Sequence, residues 1–281
     1  MAKGSLYRRL AEKKVAYYAL TVLILFVFLF PFFWVIATSM KSKVESWSMP
    51  PVFLFRPTIH NYVRVLTERN FLHFIKNSLV VAVSATALAL FVGAPAAFAF
   101  SRLRQTKRNQ ILLVTFLAGY LVPAMVIALP LYIILSRIGL VGTYAGVLLA
   151  HGLFTIGFMV WLLRGFFESI PRELEEAAIV DGCSYLGALI RIIMPVAAPG
   201  VIASLILCVV LSWNDFLYAL VLTGLNTRTV PVAVSQFLSP HAVIWGELTA
   251  AGVIGVIPVV IIVVILQKWV IKGLTLGAVK E

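Results

Sequence analysis

Glu168, Glu173, Glu175, Glu176 and Asp181 are five of the eleven acidic residues in a 281-residue chain whose formal net charge is +12. Carboxylates this close together can act as general acids and bases, ligate a metal, or form a charged face for a partner. The first two uses need companions that the sequence does not supply. His60, His73, His151 and His241 form no cluster, and Cys183 and Cys208 form no CxxC, so neither a metal set nor a disulfide framework is indicated. The two cysteines read as small packing residues. No His-Glu-x-x-His, Gly-x-Ser-x-Gly or Gly-x-x-x-x-Gly-Lys-Ser/Thr run occurs, and no intramembrane pair of aspartates. The expectation is therefore a docking surface in a chain with no catalytic residue, no metal and no cofactor of its own.

The elements around the cluster are apolar. Hydrophobic residues make up 62% of the chain and charged residues 12%, against roughly 25% charged in soluble domains. Mean hydropathy is +1.02. Such a chain cannot cover a water-soluble globule and reads as an integral membrane protein. Its apolar runs are far longer than the ~10-residue alternating segments of a barrel, and backbone groups in hydrocarbon must bond within their own segment. The spans are helices, giving an all-α membrane protein. Lys and Arg sit mostly at the ends of apolar runs and not on one clustered face, which disfavours nucleic acid as a partner.

Six spans are predicted: Val15–Met40, Asn77–Ser101, Asn109–Ser136, about Leu140–Leu163, about Pro199–Leu222, and Leu248–Gln267. The first is too long for the ~7–15-residue core of a signal peptide and reads as a retained span. The organisation is then a basic N-terminal segment at 1–14, a six-span domain at 15–267, and a short basic tail at 268–281. Six spans put both termini on one side. Fifteen of the 23 Lys and Arg fall on that side and eight on the other. The bias favours cytoplasmic termini and a cytoplasmic loop at 164–195, although six basic residues in the outer Lys41–Lys76 segment weaken it. Pro31, Pro95, Pro123, Pro130 and Pro258 lie inside predicted spans and tend to kink them. Kinked spans line cavities in transporters, and they are also simply better tolerated in membranes.

Within 164–195 the residues dictate a helix, a turn and a second helix. Pro171 suits a helix start, and Glu173, Glu175 and Glu176 fall in the first turns, where the macrodipole favours carboxylates. Leu174, Ala177, Ala178 and Asp181 share one side at helical spacing. Gly182 can stop the helix in a left-handed conformation, Ser184 can cap a second helix, and Pro195 closes it. Two alanines leave a shallow face, with Glu175 and Glu176 at its rim. The second helix is expected to lead straight into the fifth span. The same spacing also suits a solvated amphipathic connector.

At these residues the sequence resembles a family. Glu176-Ala177-Ala178, then Gly182, Ile192 and Pro195, stand at the spacing of the EAA signature of permease subunits of bacterial ATP-binding-cassette importers. Asp181 before the glycine resembles the carbohydrate branch, and Met194 replaces the signature's leucine. Ser212-Trp213-Asn214-Asp215-Phe216-Leu217, the Gln236–Gly252 stretch and the tail from Gln267 resemble smaller permease subunits of maltose-type importers. The likeness covers nearly the whole chain.

The resemblance implies a six-span MetI-like fold in a bacterial inner membrane, paired with a second, homologous permease. It implies a cytosolic ATPase dimer that carries ATP and Mg, and an extracytoplasmic carbohydrate-binding protein. Carried over, Glu175, Glu176, Ala177, Ala178, Asp181 and Gly182 form the surface coupled to the ATPase. The tail residues Gly273, Leu274, Thr275 and Gly277 reach between the ATPase subunits, and Thr223–Glu247 is the loop offered to the binding protein. The family's sugar site lies mainly in the larger permease. Asn214 and Asp215 are a polar pair in a span and so a candidate for the substrate pathway. They can equally cap a helix or pair with the second permease. His151, alone in a span, reads as a packed or interhelical hydrogen-bonding residue. An ion-gradient-driven secondary transporter is the alternative, since it needs no EAA loop. A membrane-embedded enzyme would need converging catalytic groups that the sequence lacks.

Overall fold

The computed structural model describes residues 2–103, 106–238 and 243–278, with side chains described from Lys14 to Lys268 apart from 15 and 16. Among the described residues there is no strand, only one bridge between Leu238 and Val243. The chain divides into two units: 1–69 with 237–254, and 70–236 with 255–281.

The first unit contains α1 (Ala2–Ser39), α2 (Lys43–Trp47), α3 (His60–Thr67) and the start of the last helix. The Tyr17–Ser39 part of α1 is long enough to cross a membrane, and its most apolar stretch is not buried within the chain. Polar contacts fix the segment after it. Asn61 donates from Nδ2 to the carbonyls of Ser39 and Lys41, both at 2.8 Å, and so satisfies carbonyls freed at the helix end. Lys41 is buried with its ammonium 4.3 Å from the Trp34 ring centre. Ser42 and Glu45 form a reciprocal capping box on α2. Those Ser42 hydrogen bonds hold the Glu45 carboxyl below its ordinary range. Glu247 is fully buried between Arg64 at 2.7 Å and Arg69 at 3.0 Å. The hydrogen bond to Glu68 and the charge of Glu247 hold the Arg64 guanidinium above its already high range.

The second unit is built on α4 (Phe71–Arg102) and α7 (Tyr144–Glu168). Ala89, Gly93, Ala94 and Ala97 of α4 meet Met159, Val160 and Leu163 of α7 in a buried cluster. Small residues permit this because, in lipid, helices associate by close packing and not by hydrophobic exclusion. Gly119 lies against the same helix, where a Cβ would come within 2.2 Å of the Leu153 carbonyl oxygen. That backbone approach is open only to glycine.

Of the six predicted spans, four are single helices among the described residues, and the count reaches six when each of two bent helix pairs is taken as one span. Four helices are long enough to cross alone: Tyr17–Ser39, Phe71–Arg102, Tyr144–Glu168 and Trp245–Lys268. The third span is α5 (Lys107–Leu121) and α6 (Ala124–Arg137), bent by 90°. Pro123 stands at that break, whereas Pro31, Pro95, Pro130 and Pro258 remain inside continuous helices. The straight run into the fifth span is also corrected. After α8 (Glu173–Val180) come α9 (Tyr185–Ala188), a π turn over Leu189–Ile193, and α10 (Met194–Val196). The chain then turns through 88° into α11 (Ala198–Trp213). A widened turn followed by Pro195 and Pro199 accounts for the bend, since both effects break the regular ladder. Beyond α11 lie α12 (Leu217–Leu222), α13 (Val230–Ser235) and α14 (Trp245–Ala278).

Candidate functional site

The polar loop keeps the predicted helix, stop and cap, but the second helix runs through Pro195 to Val196 and is not closed by it, and Ala178 is buried while Leu174, Ala177 and Asp181 are exposed. Gly182 has φ +87°, the left-handed region where a side chain would be strained. Gly182 donates to the Ile179 carbonyl at 3.0 Å and Cys183 to the Ala178 carbonyl at 2.9 Å, the paired bonds of a Schellman stop. Ser184 accepts at Oγ from the Gly187 amide at 3.1 Å and so caps α9.

The two faces of α8 then separate. Glu176, Ala177, Val180 and Asp181 are exposed, while Glu175 and Ala178 are buried. Glu175 does not stand at an open rim. Its Oε2 accepts from Arg102 Nε at 2.6 Å, and the same guanidinium donates to the carbonyls of Phe167 and Ile170. Arg102, the last residue of α4, thus collects the end of α7 and the start of α8 in one planar fork. In the sequence Arg102 reads as an orientation charge, and the one sign of another role is that a buried carboxylate needs a cation. Leu174, Val180, Tyr185, Leu186 and Ile190 carry exposed apolar surface beside the exposed acids. The arrangement suits a partner with an apolar slot rimmed by basic groups.

Asn214 and Asp215 sit where α11 stops and α12 has not begun. Asp215 accepts at Oδ2 from the Ala219 amide at 3.0 Å, which caps α12. The same oxygen lies 3.3 Å from Nε2 of His151, and His151 Nδ1 is 2.7 Å from Ser212 Oγ. His151 is fully buried, so it is the interhelical hydrogen-bonding residue expected of a lone histidine in a span. Cys208 is buried as a packing residue, while Cys183 is half-buried.

The 223–236 stretch is anchored by side chains of α4. Asn77, fully buried, donates to the carbonyls of Asn226 and Arg228 and accepts from Tyr144 Oη at 2.6 Å. His73 bonds the same Asn226 carbonyl, and Ser78 accepts from the Val230 amide. Residues 239–242, with Pro240 and His241, lie outside the described residues. So do the side chains of Gly273, Leu274, Thr275 and Gly277 in the tail, whose backbone continues α14 to Ala278.

Long apolar helices, two bent spans and a helical polar elbow define a multi-pass membrane permease. Residues 89–276 match the family described as binding-protein-dependent transport system inner membrane component, and the chain belongs to that family. It is 35% identical to the sulfoquinovosyl glycerol transport system permease protein SmoH of Agrobacterium fabrum, covering 90% of this chain and 89% of that protein. It is 33% identical to the trehalose/maltose transport system permease protein MalG of Thermococcus litoralis, over 92% of this chain and 94% of that one. A chain of a bacterial ABC transporter involved in the import of the acidic polysaccharide alginate shares the fold. The TM-score is 0.72 at 22% identity, covering 90% of this chain and 95% of that one.

Proposed function

We propose that the chain is a permease subunit of an ATP-driven importer for a carbohydrate and that it lies in a bacterial inner membrane with both termini cytoplasmic. A second, homologous permease completes the translocation path with the 15–267 domain. ATP and Mg belong to a cytosolic ATPase dimer, and a carbohydrate-binding protein delivers the cargo on the outer side. The substrate class is supported by relatives named for trehalose, maltose and sulfoquinovosyl glycerol.

The observation that carries the coupling assignment is the two-faced α8. Glu176, Ala177 and Asp181 point away from the bundle beside the Gly182 turn, while Glu175 and Ala178 fasten the helix to it. The exposed face meets the ATPase, and the buried face passes its motion to α4 through Arg102 and to α11 through the π turn and the 88° bend. The tail from Lys268 to Glu281, with Gly273, Leu274, Thr275 and Gly277, reaches between the ATPase subunits. The 223–247 loop meets the binding protein, and the Asn77 clamp holds its first half in shape.

The test places single cysteines at Glu176, Ala177 and Asp181 in the assembled complex and joins them to cysteines on the ATPase. Crosslinks that change yield between nucleotide-free and ATP-bound states are expected. Uptake into vesicles that persists without the ATPase would replace this reading with an ion-gradient-driven transporter.

A further inference from the structure

The loop over residues 41–57 is closed on the end of the first span. Thr58 donates its amide to the Met40 carbonyl at 2.8 Å, so the loop leaves and returns at the end of α1. In between it folds back along the helix, where the Phe53 ring packs on Trp34 with centroids 5.3 Å apart. Trp34 precedes Ser39 by five residues and so stands about 7.5 Å short of the helix end. The Tyr17–Ser39 span rises about 34 Å against a hydrocarbon core of ~30 Å. Trp34 and Phe53 are therefore near the edge of that core, the depth at which aromatic side chains collect in membrane proteins. In the same loop Met49 and Leu54 are 96% and 95% exposed, and Val44, Trp47 and Phe53 are exposed as well. Apolar surface this concentrated, held at that level, is stable against lipid and not against water.

The loop also carries charge. A cavity of about 550 Å³ lies between it, α3 and the start of α14, with Lys43, Trp47, Arg56 and Trp245 in its lining. The carboxylates that line it are already engaged. Glu45 accepts from the Ser42 amide and hydroxyl, and Glu247 is shared by Arg64 and Arg69. Lys43 and Arg56 are exposed, and their side chains make no hydrogen bond or ion pair among the described residues. Two uncommitted cations and two indoles at headgroup depth are complementary to a phosphodiester that carries acyl chains. A neutral sugar would match neither the charge nor the apolar rim. An acidic protein segment would match the charge but leave Met49, Phe53 and Leu54 in water.

We propose that residues 41–57 form an interfacial loop that seats the headgroup of an anionic phospholipid. Met49, Phe53 and Leu54 enter the acyl boundary, Lys43 and Arg56 hold the phosphate, and Trp47 and Trp245 flank it. The proposal needs only that the chain spans a membrane, and it does not rest on the carbohydrate reading.

The test places the whole complex in phosphatidylcholine nanodiscs with a trace of diazirine-bearing phosphatidylglycerol or, separately, diazirine-bearing phosphatidylcholine. After irradiation the labelled peptides are mapped. Phosphatidylglycerol is expected to label residues 43–60 and 244–247 above phosphatidylcholine, and unlabelled phosphatidylglycerol is expected to compete. Lys43→Gln and Arg56→Gln should each lower that preference roughly fivefold, the scale on which one basic residue near an anionic surface contributes. Arg56→Lys keeps the charge and should keep most of the preference, which separates charge from packing. Both side chains are exposed, so the variants should assemble with an unchanged Tm. Equal labelling by the two lipids, or a preference unchanged in both glutamine variants, overturns the site. Weaker association with the binding protein in those variants, with lipid labelling unchanged, would assign the cavity to a protein partner instead.

Discussion

Arg102 Nε lies 2.6 Å from Glu175 Oε2, with both side chains nearly buried, and this pair ties the end of α4 to the first turn of α8. Removing one partner strands the other charge, whereas removing both is far milder. Arg102→Ala or Glu175→Ala is therefore expected to cost about 3 kcal/mol of local stability. Hydrogen exchange over 173–180 should rise in either single variant, with transport falling in parallel. The double variant Arg102→Met/Glu175→Met should recover much of the protection. Single variants that exchange like the wild type would show that the pair fastens nothing.

The exposed face of α8 should behave in the opposite way. Glu176→Lys reverses an exposed charge that forms no ion pair among the described residues, so insertion and thermal stability should stay near wild type while hydrolysis is uncoupled from uptake. Gly182→Pro should uncouple more severely. Proline cannot adopt the +87° φ found at that turn, and it lacks the amide that bonds Ile179. Uptake at the wild-type rate in either variant would remove α8 as the coupling surface.

Glu247 is a second buried carboxylate, held by two arginines that remain partly exposed. Glu247→Ala removes the carboxylate shared by Arg64 and Arg69 and leaves Arg64 only its exposed pair with Glu68. It should destabilise the first unit, read as a lower Tm in detergent, by less than the ~3–5 kcal/mol of a stranded buried charge, because both arginines reach solvent. Because Glu247 keeps Arg64 at 2.7 Å when Arg69 is removed, Arg69→Ala should be milder than Glu247→Ala. The reverse order would show that the arginines do not share this carboxylate.

Asn77 holds two loop carbonyls and the Tyr144 hydroxyl at once. Asn77→Ala takes the partner from the Arg228 carbonyl and the Tyr144 hydroxyl, at about 1–3 kcal/mol for each group left buried and unpaired, while His73 keeps its bond to the Asn226 carbonyl. Residues 224–230 should then exchange faster, and stimulation by the binding protein should weaken while basal hydrolysis holds. Asn77→Asp keeps the acceptor but loses both donors, so it should resemble the alanine variant and not the wild type.

Much of the polar elbow is local chemistry and is readable in the chain. Gly182, Ser184 and the three early glutamates act within a turn or two of their own positions, so spacing alone predicts stop, cap and helix start. The membrane class comes from composition, because hydrocarbon leaves the backbone few ways to bond. Arg102 and Glu175 are out of reach. They are 73 residues apart, and an arginine at the end of a span has the same signature whether it marks orientation or holds a carboxylate.

The division has a physical basis. Helical periodicity, caps and apolar length depend on neighbours a few residues away, so the order of amino acids decides them before any packing occurs. Which glutamate turns inward and where two spans bend depend on elements brought together from distant parts of the chain. Those facts belong to packing. The same Glu175-Glu176 pair would otherwise present two equivalent acids, and only the guanidinium arriving from α4 makes one an anchor and leaves the other exposed.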